Sequence, residues 1–316
     1  GFDGDALLAA GPDGRLYRPP APGLDRILLT LPLARRLAMT HDDLDDLRRE
    51  IDRIDSALLA LTAERREISA RIGARKGDGA NALRPGREAV VLRRLVDEAA
   101  GRLPTDALVR LWREIFACSI RAQGPFTVAV SAPTGDRPLW DLARAHFGHA
   151  TPFRRVDRAA QALRDVAEQR VQAAVLPPPD DDALWWTGLI ESQPRLHVVA
   201  RLPFVASEPA CEADGGEGFV VTARPPDASG DDVSLVALSA GAQLSRGRLR
   251  DLLAEAGFAA GWRGATRPPG SHEAWHLIEV AGFLEADDAR LRELVRDHPR
   301  DVERCVRIGV WARPFT

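Results

Sequence analysis

Residues 44–76 read LDDLRREIDRIDSALLALTAERREISARIGARK. Large apolar side chains stand at Leu44, Leu47, Ile51, Ile54, Leu58, Leu61, Ile68 and Ile72, in steps of three, four or seven. This is a heptad seam. It predicts one α-helix of about 35 residues, about 50 Å long at ~1.5 Å per residue. No small domain buries such a helix within itself, so the seam must lie against other long helices, most simply those of a second copy.

One seam position is wrong for a knob. After Leu58 and Leu61 the next place belongs to Arg65, and a buried guanidinium is costly without a partner. Eleven residues, or three turns, further on stands Lys76 on the same side of the helix. Lys76 is the only lysine in the chain; the other 42 of the 43 Lys plus Arg are arginine. A lone compact ammonium among arginines is a candidate for chemistry that a planar fork does not serve. Drift, with Lys76 a solvated helix-end charge, is the plain alternative.

Downstream, Pro85 suits the first turn of a second helix running through Val91, Leu92, Leu95 and Val96. Pro104 and Asp106 open a third, with Leu108, Leu111, Trp112, Ile115 and Phe116 inward. The inward stripe of this third helix continues from Trp112 and Phe116 into Ser119 and Gln123, so an apolar face ends in a hydroxyl and an amide. Arg87 and Glu88 sit near the start of the second helix. A pocket among these helices holds several cations, a carboxylate and an amide between aliphatic walls. That suits a small, multiply anionic, partly apolar ligand. Taken singly, each residue has a blander reading, an ion pair across the seam or a solvated face. Polar groups recurring where the period wants apolar ones on two helices favour the pocket.

Composition bounds the rest. A chain of 316 residues, 45% hydrophobic and 28% charged, has room for two or three cored domains. The net charge of −3 gives no footprint for nucleic acid or an anionic membrane. Cys118, Cys211 and Cys305 are odd in number and far apart, which fits reduced thiols in the cytoplasm. No apolar run approaches the ~20 residues of a membrane span. The only Met is Met39, so residues 1–40 read as a leader or arm, with ILLTLPLARRLA a short packed helix in the second case.

Residues 125–205 alternate buried strands (FTVAVSAP, QAAVLPPP, LHVVARLPFV) with helical stretches, predicting a small α/β lobe with a parallel sheet. Residues 206–230 are rich in Gly, Pro, Ala and acidic residues and read as a linker around one strand, GFVVTARPP. Residues 231–316 run strand, helix, strand, strand, helix, strand, the ferredoxin-like βαββαβ order.

At this point the motifs carry a resemblance. LDDLRREIDRIDSALLALTAERREISARIGARK, ALRPGREAVVLRRL and LVRLWREIFACSIRAQ resemble the all-helical chorismate mutase domain, over residues 41–124. The resemblance implies a three-helix, intertwined homodimer with shared active sites, chorismate as substrate and no cofactor or metal. It puts Arg65, Lys76, Arg87, Glu88, Ser119 and Gln123 on pocket positions and Arg48 on the arginine donated by the second chain. Arg84 stands where some members have an acidic residue. Lys76, Gln123 and Glu88 then carry catalysis; Arg48, Arg65, Arg87, Ser119 and Arg84 bind substrate. The remainder resembles prephenate dehydratase in degenerate form. The family's Thr-Arg-Phe motif is absent and only residues 206–217 separate LPFV from GFVV, so no dehydratase activity is expected. The tail resembles an ACT domain, with Gly241, Ala242, Arg267 and Pro268 as effector-binding candidates; a plain dimerisation module is the alternative. A bifunctional mutase–dehydratase and a non-catalytic metabolite sensor stand as competing functions.

Overall fold

The computed structural model describes residues 9–10, 16–17, 41–76, 82–132, 138–179, 183–205, 216–241, 244–267 and 273–315. Residues 77–79, whose Gly77 and Gly79 are suited to break the long helix, and the leader's ILLTLPLARRLA lie outside them. The chain divides into two compact units, 1–60 and 61–316. The first holds a short antiparallel pair, β1 (Ala9–Ala10) and β2 (Leu16–Tyr17), and the beginning of α1.

Helix α1 runs His41–Lys76, the full length that the heptad demands. Its seam is open to solvent in the single chain: Leu47, Ile51, Leu58, Leu61, Ile68 and Ile72 are all 40% exposed or more. Helix α2 (Pro85–Ala99) has Pro85 in its first turn and ends at Ala100 in the left-handed region. Helix α3 (Thr105–Gln123) buries Leu108, Val109, Phe116, Ala117 and Ile120. Leu111, expected inward, is exposed, and Arg113 is buried in the stripe.

The α/β region is built on β3 (Val128–Ser131), α4 (Pro138–Phe147), β4 (Phe153–Val156), α5 (Ala159–Ala167), β5 (Ala173–Leu176), a 3-10 helix (Leu184–Leu189), β6 (His197–Leu202) and β7 (Gly218–Thr222). It continues through β8 (Asp232–Gly241), α6 (Arg246–Glu255), β9 (Ala260–Thr266), β10 (Glu273–Ala281), α7 (Ala289–Asp297) and β11 (Val302–Ala312). Among the described residues, the nine strands from β3 onward form one sheet, in the order β4-β3-β5-β7-β6-β11-β8-β10-β9. This corrects the expectation of a separate α/β lobe and ferredoxin-like domain joined by a linker. The strand expected within the linker, β7, lies antiparallel between β5 and β6, so the lobe's sheet is mixed. Within the large sheet the last four strands keep the ferredoxin-like order, β11-β8-β10-β9, every neighbour antiparallel.

The two halves meet where β11 runs parallel to β6, with Gly309 opposite Val198. The glycine is required there, because a Cβ would lie 2.5 Å from the Val198 Cβ and 2.7 Å from its carbonyl oxygen. Helix α4 packs on one face of β3, β5 and β7, while α5 and the 3-10 helix pack on the other. The sheet curls. Val236, Leu238 and Ala240 of β8 meet α6 and α7, and the alternate residues Leu235 and Ala237 pack with Phe219 of β7 and Trp185. Arg263 of β9 closes the curl with an ion pair to Glu217 at 3.0 Å.

Candidate active site

A cavity of about 450 Å³ opens among the C-terminal half of α1, the start of α2 and the end of α3. Its apolar walls are Leu61, Ile68, Ile72, Val91, Phe116 and Ile120, and its polar groups include Arg65, Arg84, Arg87, Glu88, Ser119 and Gln123. The volume lies within the ~300–1,000 Å³ of small-molecule pockets.

The helix periods bring these groups together. Arg65 occupies the seam position after Leu61 and reaches α3. It donates a short hydrogen bond to Ser119 Oγ and a longer one, 3.4 Å, to the carbonyl of Ile115. Its guanidinium carbon stands 5.4 Å from the Phe116 ring centroid. No carboxylate among the described residues forms an ion pair with it. Burial lowers the Arg65 pKa, and the nearby Glu88 charge opposes that shift. The partner that the sequence demanded is therefore a hydroxyl, a carbonyl and a ring, with an anion at longer range. The Ser119 hydroxyl donates to Ile115 O at 2.9 Å, and Gln123 Nε2 donates to the Ser119 carbonyl at 3.2 Å. Gly73 lets α1 approach that end of α3: a Cβ would stand 2.6 Å from the Gln123 Cα.

Glu88, near the start of α2, accepts from Arg113 at 2.8 Å. Burial pushes its carboxyl above the usual range, while Arg113, Arg65 and the backbone N–H of Arg84 pull it back. Arg84 is engaged elsewhere. Its fork holds Asp227 bidentately, Nε to Oδ2 at 3.1 Å and Nη2 to Oδ1 at 2.8 Å. Arg87 is exposed at the rim.

Two candidates stand apart. Arg48 lies in the first unit, exposed and paired with Asp45 at 2.9 Å. Lys76 is the last residue of α1, and its side chain lies outside the described residues. Of the effector candidates, Gly241 ends β8 and donates its N–H to Asp301 O at 3.2 Å. Arg267 is exposed beside a cleft with Trp275 and Glu191, which Gly241 does not line. Ala242 and Pro268 lie outside the described residues.

The buried Arg113 escaped the sequence reading. The signal was present: Val109, Arg113, Phe116 and Ile120 step by four, three and four along the inward face of α3. Among the described residues no cluster of His, Cys, Asp and Glu is arranged to hold a metal, and no helix is long and apolar enough to cross a membrane.

Comparison with known proteins agrees with the helical segment. The family model of chorismate mutase type II matches residues 47–124. The bifunctional chorismate mutase/prephenate dehydratase of Neisseria gonorrhoeae is 41% identical over 103 residues, 33% of this chain and 28% of that protein. That of Pseudomonas aeruginosa is 32% identical over 146 residues, 43% of this chain and 39% of that protein. The chain thus spans well under half the length of these curated relatives. The solved prephenate dehydratase of Streptococcus mutans superposes with a TM-score of 0.42 at 13% identity, covering 60% of this chain and 100% of that one. Residues 47–124 are a chorismate mutase type II domain, in a chain similar to bifunctional chorismate mutase/prephenate dehydratases.

Proposed function

We propose that this chain is a chorismate mutase, converting chorismate to prephenate at the α1–α2–α3 cavity. The observation that carries the reading is the convergence of Arg65, Arg87, Glu88, Ser119 and Gln123 on one cavity of the mutase-type domain. The rearrangement is intramolecular and pericyclic, so it asks for no nucleophile and no cofactor. Holding the compact conformer supplies a proximity gain. Fixed donors at the ether oxygen stabilise the charge that grows there.

In this reading Arg65, already oriented by Ser119 and Ile115, forks one substrate carboxylate. Arg48 of a second copy meets the other, brought there when the exposed seams of two α1 helices pack together. Arg87 adds positive potential at the rim. Gln123 and Lys76 flank the ether oxygen, and Glu88 accepts the ring hydroxyl. Arg84 contributes charge to the wall rather than a free fork, since Asp227 holds it.

The α/β region acts without dehydratase chemistry. β6 and β7 are antiparallel neighbours with only residues 203–217 between them, which leaves no room for a second lobe and hence no inter-lobe cleft of the dehydratase kind. The ferredoxin-like strand order of β8–β11 supports an ACT-like module that takes an amino acid.

Purified protein and chorismate test the assignment. Chorismate absorbance should fall enzymatically, prephenate should accumulate, and phenylpyruvate should not form at neutral pH. Binding without turnover would favour the sensor reading, and phenylpyruvate the bifunctional one.

A further inference from the structure

Arg113 is 4% exposed. A guanidinium so deep in an apolar helix face is costly unless a well-placed partner, best a carboxylate, meets it. That carboxylate is Glu88, 2.8 Å away, and Glu88 is also a wall of the cavity. On its other side Arg113 stands 5.1 Å from the ring centroid of Phe204, just beyond β6. Phe204, Val205 and Ala312 complete the apolar cluster of Leu92, Val109 and Phe116. An α3 cation seated on an aromatic from the sheet region therefore grips a pocket carboxylate on α2.

We propose that Arg113 is a positioning residue whose grip fixes the Glu88 carboxylate at the cavity wall. Its consequence for catalysis rests on the mutase reading above; the pair itself rests on the geometry. Three groups face Glu88: Arg113 from α3, Arg65 from α1 and the backbone N–H of Arg84 ahead of α2, all favouring the anion against burial. His146 of α4, itself buried, feels Arg113 and is held neutral, well below its ordinary range. Removing Arg113 leaves the carboxylate with Arg65 and one amide, so it takes up a proton at higher pH and loses its fixed orientation.

The test reads Glu88 directly. Glutamate ¹³Cδ resonances are titrated by NMR in the unliganded full chain, with Glu88→Gln assigning the signal. Arg113→Met should raise the Glu88 titration by about one unit or more, and Arg113→Lys, which keeps the charge, by less. With chorismate as probe, Arg113→Met should cut kcat about tenfold or more and move the acidic limb of the pH profile upward. In a Glu88→Gln background the same change should cost at most about twofold, because its effect passes through Glu88. An unmoved Glu88 titration in a folded Arg113 variant, or an equal kcat loss in both backgrounds, overturns the proposal. A wild-type chain without turnover overturns the mutase reading instead, and the titration still decides the pair. Should Arg113→Met not fold, Arg113→Lys carries the same comparison.

Discussion

Replacing Gly309 by alanine tests whether the nine strands are one sheet. β11 joins β6 there, beside Val198. A Cβ at Gly309 would stand 2.5 Å from the Val198 Cβ, 2.7 Å from its oxygen and 3.0 Å from its Cα. Carbon atoms attract only from about 3.5 Å outward, so about 1 Å must be found. Two of the three obstructing atoms are backbone, and the third is a Cβ. No rotamer relieves them, so the strands must part. Overpacking costs about 1–3 kcal/mol where side chains yield, and a backbone obstruction belongs at the upper end, about 3 kcal/mol. At about 2–4 °C per kcal/mol for a large domain, Tm should fall by about 6–12 °C. The assay is thermal unfolding followed by circular dichroism and calorimetry, with Val198→Gly as companion. The companion removes only the Cβ contact, so the double variant should recover less than half of the loss. A Gly309→Ala chain melting within about 2 °C of wild type would refute the β6–β11 junction, because two separate sheets leave room for the methyl.

Other outcomes follow from the site and the charges. Lys76→Ala should nearly abolish chorismate turnover while the oligomeric state stays unchanged; normal turnover in a folded variant would remove Lys76 from the mechanism. Leu58→Glu, on the exposed seam, should weaken a dimer by about 3–6 kcal/mol, counting a leucine's burial of about 1.5–3 kcal/mol once per copy. Light scattering at micromolar concentration should then find monomer, and an undiminished dimer would place the interface elsewhere. His197 and His276 are buried, and burial first, then nearby arginines, lowers each from 6.5 to about 4. The unfolded chain binds their protons below about 6.5 and the folded chain only near 4. Their contribution is therefore complete above pH 6.5 and lost on acidification toward 4. Urea unfolding at pH 7 and 5 should show a smaller pH effect in His276→Gln than in wild type; parallel losses would exclude this residue.

What the sequence revealed follows from periodicity. The α1 seam fixed a helix of 36 residues because eight apolar residues repeat over it. The βαββαβ order from β8 to β11 was readable because its strands are long apolar runs separated by clear breaks. β4, PheArgArgVal, was not, because an edge strand with two exposed arginines lacks a strand's apolar pattern. β7 was legible as a strand, but the Gly, Pro and acidic residues around it hid its place inside the sheet, where all five of its residues are buried. The continuity of the sheet depends on the long-range encounter of Gly309 with Val198, which no local pattern announces. In the cavity, six of the eight expected residues line the wall; helical spacing aims Arg65, Ser119 and Gln123, while Arg84, just ahead of α2, was expected from the resemblance alone. The capture of Arg84 by Asp227 joins residues 143 apart and left no local trace.

Those long-range contacts explain why a helical pocket is attached to a sheet. Helix α2 carries Arg87 and Glu88 on one side. On another it is strapped to the segment entering β8. Arg84 holds Asp227. Arg93 donates to the Ser229 carbonyl and hydroxyl at 3.0 Å, to Asp231 O at 2.9 Å and to Arg313 O at 3.0 Å. Gly86 sits so close that a Cβ would stand 2.1 Å from Asp227 O. Phe204 and Ala312 add apolar contact beneath α2 and α3. A reaction helped by orientation and fixed dipoles gains from such rigidity, because its donors must not reorganise as charge develops. The sheet thus contributes to the pocket as a foundation; among the described residues it lends no side chain to the lining. Loosening the strap through Arg93→Ala should lower kcat more than it raises KM, since bound chorismate would meet the same groups less well placed. A change confined to KM would separate the sheet from the chemistry.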